Sequence, residues 1–80
     1  MKAMEKQLKK RYFDYLTAHY GRMSMAALRE NVKQSISRLV TAKVYPEEVI
    51  KKAINDMADD GYSLSMILAH LDMVDIENRT

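Results

Sequence analysis

The sequence predicts an all-α protein, a compact bundle of four short amphipathic helices forming a single domain over residues 1–80. Three observations lead there. Apolar residues recur with the 3.6-residue helical period in four successive segments. The only proline and the only two glycines, Pro46, Gly21 and Gly61, fall at the breaks between those segments. The chain has 80 residues, 48% of them hydrophobic and 30% charged, and no cysteine. That is the balance of one small globular domain that neither disulfides nor thiolate-bound metal can reinforce.

The first helix is expected over about residues 3–20. Met4, Leu8, Tyr12, Tyr15, Leu16 and His19 form its apolar stripe, and Gly21 is expected to cap its end in a left-handed conformation. The second is expected over about 25–42. Ser24 is its N-cap, Met23 and Leu28 sit at the two positions of a hydrophobic staple, and Met25, Leu28, Val32, Ile36, Leu39 and Val40 form the stripe.

The third helix is expected over about 46–60. Pro46 suits the first helical position, where its missing N–H costs nothing, and Glu47 and Glu48 meet the positive end of the helix dipole. Its stripe is Val49, Ile50, Ala53, Ile54 and Met57, and Gly61 ends it. The fourth is expected over about 64–76, capped by Ser63 with a Tyr62–Ile67 staple. Leu64, Ile67, Leu68, Leu71 and Val74 form its stripe, and Glu77 to Thr80 are expected to fray.

Charge is unevenly divided. Residues 1–43 hold ten Lys/Arg against three acids, a net +7, while residues 44–80 hold three against eight, a net −5. Such a division indicates two differently charged surfaces, or two halves that attract each other within the fold. No apolar run is long enough to span a membrane, and Lys6, Lys9, Lys10 and Arg11 interrupt the place where a secretory signal would carry its apolar core. A cytoplasmic location is therefore expected.

Phe13 is the only phenylalanine, and it falls beside the apolar stripe of helix 1 together with Tyr20, Lys6, Lys9 and Lys10. Lysines attract anions and an aromatic ring fills a partner's pocket or stacks on a base, so these five residues are expected to form a contact surface. The same residues also admit a structural reading. Phe13 and Tyr20 would widen the buried stripe while lysine stems cover its edges.

Asp56, Asp59 and Asp60 share one side of helix 3, and the last two oppose its dipole. They are expected to form a second, acidic contact surface, and no metal site is expected there. Met66 and Met73, seven residues apart and off the helix 4 stripe, are the best candidates for a further intermolecular face.

Gly61 to Leu71 resembles the opening helix of a helix-turn-helix unit. The segment after it, Asp72-Met73-Val74-Asp75-Ile76-Glu77, is too short and too acidic for a recognition helix. Ser63, His70 and Asp72 are residue types of a hydrolase triad, but Ser63 and His70 lie about 10 Å apart along one helix. No catalytic residue and no cofactor is therefore expected.

The sequence reads as a small non-enzymatic regulatory protein that binds another protein, as an inhibitor or adaptor, with a homodimer expected because so small a core benefits from self-association. The alternative reading is a dimeric nucleic-acid-binding regulator using the basic N-terminal half.

Overall fold

The computed structural model describes residues 2–79, with side chains from Met4 to Arg79. Helix α1 spans Lys2–Gly21, α2 Met25–Thr41, α3 Glu47–Asp59 and α4 Leu64–Arg79. No strand occurs among the described residues, and the fold is all-α as the periodicity implies.

Helix α4 is the shared element, packing against each of the other three. Its sequence explains this position, because Ile67, Leu68, Ala69 and Leu71 are all buried and leave it apolar on more than one side. Two small cores form around it. Leu16, Tyr20, Leu28, Leu68 and Ala69 make one, with Phe13, Met23 and Met73 packed on its edge. Leu39, Ile50, Ile67 and Leu71 make the other, edged by Val44, Ile54, Met57 and Tyr62.

Both serine caps form. Ser24 Oγ accepts from the Ala27 amide at 3.2 Å, and Ser63 Oγ accepts from the Met66 amide at 3.4 Å. Met23 and Leu28 meet in one core, and Tyr62 and Ile67 in the other, as the staples require. Pro46 is not the first helical residue. It is the N-cap of α3, with ψ at 150°, because the ring sets φ but leaves ψ extended.

The helix ends depart from expectation more instructively. Gly21 is the last residue of α1 and is not left-handed. The chain leaves through short-range bonds from the Arg22 amide to His19 O and from the Met23 amide to Tyr20 O. The left-handed positions are instead Gly61, with φ of 92°, and Lys43, with φ of 58°. Each follows a helix in the same way. The Gly61 amide bonds Ala58 O and the Tyr62 amide bonds Met57 O; the Lys43 amide bonds Val40 O and the Val44 amide bonds Leu39 O. Both turns are Schellman motifs, each closed by a hydrophobic contact.

Helix α4 continues past Val74 to Arg79. Arg79 pairs with Asp75 at 3.1 Å, Asn78 Nδ2 donates to Val74 O at 2.8 Å, and Lys9 reaches Glu77 at 3.3 Å. These bonds hold residues 77–79, expected to fray, in the helix; Thr80 lies outside the described residues.

Helix α1 departs furthest from its expected packing. Of its expected stripe only Leu16 is buried, while Met4, Leu8, Tyr12 and Tyr15 are 61%, 60%, 42% and 64% exposed. The face turned to the core is Phe13, Leu16 and Tyr20, about 115° around the helix from Leu8. Helix α1 thus has two apolar faces and buries one.

Candidate functional surfaces

Phe13 and Tyr20, expected at a contact surface, are committed to the interior. The Phe13 ring lies 4.6 Å from that of His70, and the Tyr62 ring lies 5.4 Å from it. Burial in this aromatic setting pushes the His70 pKa below its usual value. Tyr20 is buried and donates its hydroxyl hydrogen bond to Asp72 Oδ2. Arg38 Nη2 approaches the other Asp72 oxygen at 3.8 Å and donates to the buried Ser35 Oγ at 3.1 Å. Burial first, then the bond to the Asp72 carboxylate and its charge, push the Tyr20 pKa up to about 12.

This Tyr20–Asp72–Arg38–Ser35 network ties α1, α4 and α2 together. Its members lie on three different helices, so the pattern along any one of them does not show how they meet. Ser35 gave the only local signal, a polar residue on the inward side of α2.

The lysines of α1 remain outside. Lys6, Lys9 and Lys10 are exposed; Lys9 pairs with Glu77 and Lys10 with Asp14, both at 3.3 Å. The expected five-residue surface is therefore divided, with lysines in water and rings within. Asp56, Asp59 and Asp60 are exposed together along α3, and among the described residues none of them pairs with a cation. Met66 and Met73 are half-buried. Met73 packs on the first core and also lines a groove with Leu8, Tyr12 and Ile76.

Leu71 and Asp72 lie within one unbroken helix, so no turn and second helix come after it there. Ser63 spends its hydroxyl on capping α4, while the His70 ring packs against Phe13 and Tyr62.

Among the described residues, apolar surface is left uncovered in at least two places. The first runs along α1, where Tyr12 and Tyr15 stack at 6.1 Å and Tyr15 and His19 at 6.5 Å. It continues onto Ile76 of α4 across the Leu8–Met73 groove. The second is a cleft of about 320 Å³ between α2, α3 and α4, floored by Leu39, Ile50 and Leu71 and rimmed by Tyr45, Val49 and Val74. Tyr45 and Val49 are half exposed. No described helix is long and apolar enough to cross a membrane.

No family model matches the chain, and no curated protein or solved structure matches it.

Proposed function

We propose that this chain is a small non-enzymatic regulatory protein that acts by binding another protein through its helix faces, as a self-associated unit. The supporting observation is how much apolar surface it leaves in water. Among its exposed large side chains are Leu8, Tyr12 and Ile76, which line one groove, and Tyr45 and Val49, which line the cleft. Isolated exposed hydrophobics are ordinary, whereas contiguous patches mark contacts.

The cleft between α2, α3 and α4 suits one or two apolar side chains of an amphipathic partner helix. On the wheel of α3, Asp56 and Asp60 border the Val49–Ala53 line that faces this cleft. A partner with basic residues beside its apolar ones fits that edge. Val49→Asp changes an exposed side chain and should leave the fold intact. Capture from cells that make the protein should show one bound protein lost with Val49→Asp. Identical bound sets would discard the cleft.

The second reading, nucleic-acid binding by the basic half, has its own observation. The exposed Tyr12, Tyr15 and His19 rings share α1 with Lys6, Lys10 and Arg11, and aromatic residues beside cations bind single strands. A salt-sensitive gel shift at about 50 mM salt is its test; absence of a shift at micromolar protein removes it.

A further inference from the structure

We infer that the exposed face of α1 is covered by the same face of a second copy, the two α1 helices running antiparallel. This rests on the self-association proposed for the chain and names the surface responsible.

The chain exposes 6040 Å², whereas a monomer of 9.3 kDa is expected to expose roughly 5,000 Å². The excess is close to the ~800 Å² that each partner contributes to a standard interface. The radius of gyration, 12.8 Å, likewise exceeds the roughly 11.6 Å of a compact chain of this length. Helix α1 contributes to it with Met4, Leu8, Tyr12 and Tyr15, all well exposed. From Met4 to His19 its uncovered face is about 22 Å long. It points away from the Phe13–Leu16–Tyr20 line that meets the core, so a second helix can approach without displacing α4.

The spacing fits a helix partner. Leu8, Tyr12, Tyr15 and His19 are separated by four, three and four residues, the knob positions of a helix–helix seam. Charge then selects the direction. In a parallel pair Lys9 and Arg11, which flank this face, would lie beside their counterparts in the other copy, and Glu5 would face Glu5. An antiparallel pair moves these like charges apart. With Tyr12 opposite the partner's Tyr15 and Leu8 opposite the partner's His19, Glu5 falls level with the partner's Arg22, in the turn just after α1. By two-fold symmetry the pair forms twice. The tyrosine and histidine rings already stack on one another along α1. They form one continuous row along the helix, which suits interdigitation with a matching row.

Sedimentation equilibrium from about 1 μM to about 1 mM tests this. The wild type should sediment with the mass of two chains. Leu8→Glu/Tyr15→Glu, at exposed positions, should sediment as one chain of 9.3 kDa with its helical circular dichroism unchanged. Glu5→Arg and Arg22→Glu should each weaken the dimer several-fold, and the two together should restore it. A wild type that stays a single chain throughout overturns the inference. So does a dimer that survives Leu8→Glu/Tyr15→Glu. Failure of the charge exchange to restore association overturns the antiparallel register. A monomer that retards single-stranded oligonucleotide and loses this with Tyr15→Glu gives the face to nucleic acid instead. Val49→Asp should leave the dimer intact, so loss of the cleft partner and loss of the dimer are separate results.

Discussion

The Tyr20 hydroxyl donates a hydrogen bond to Asp72 across 52 positions of sequence. This joins the end of α1 to the middle of α4, and Arg38 extends the link to α2. A partly buried carboxylate is costly unless its lone pairs are met. Tyr20→Phe should therefore destabilise the fold by about 1–3 kcal/mol, read from urea unfolding, with the helices retained. Asp72→Ala should cost at least as much. The double variant should lose less than the sum of the two, since both remove one interaction. Additive losses would show that the bond contributes nothing of its own.

The same contact sets an alkaline limit. Tyr20 is held protonated by burial and by the Asp72 carboxylate, its pKa raised from 10.0 to about 12. The folded state thus keeps a proton that the unfolded chain releases. Its contribution to stability is complete below pH 10 and is lost as pH rises towards 12. Ultraviolet titration of the five tyrosines should show one late ionisation, coupled to unfolding and missing in Tyr20→Phe. A titration unchanged by that substitution would refute the assignment.

His70 adds a sensitivity to acid. Burial lowers its pKa from the ordinary 6.5, so the fold prefers the neutral ring. Its contribution is complete above pH 6.5 and is lost as pH falls through that value towards the lower folded pKa. Melting temperatures at about pH 7.5 and about pH 5.5 should differ less in His70→Gln than in the wild type. An equal difference in both would place the acid sensitivity elsewhere.

Lys43 holds a left-handed conformation, φ 58°, at the position after α2 where glycine is the usual residue. Its side chain is exposed, so substitution sacrifices no packing. Lys43→Gly should raise stability by about 1 kcal/mol, and Gly61→Ala, at φ 92°, should lower it by a similar or larger amount. Thermal melts of the two variants give the comparison, and a loss on Lys43→Gly would contradict the strain assigned there.

Local chemistry made the helices and their starts legible. Ser24 and Ser63 cap what their positions imply, and Gly61 ends α3 through the backbone freedom that a missing side chain gives. Lys43 was not legible as a left-handed residue, because lysine carries no sign of it. The choice between the two apolar faces of α1 was not legible either. Periodicity favoured the Leu8–Tyr12–Tyr15 row, but what α4 accepts is decided by contacts remote in sequence, the Phe13–His70 rings and the Tyr20–Asp72 bond. The proposed α1 surface is the row expected from sequence to be buried, and it contains neither Phe13 nor Tyr20, the rings expected there as a contact. Phe13 and Tyr20 stand out by being off the stripe, and that is the side α1 buries.

If the proposed function holds, this chain works while covered by another molecule. The most direct measurement is the mass of the particle that carries it in extracts of the cells that make it, by native mass spectrometry. The expected particle is heavier than one 9.3 kDa chain, and its mass is reduced by Leu8→Glu/Tyr15→Glu and, independently, by Val49→Asp. A single bare chain in the extract, unaltered by either variant, would contradict this.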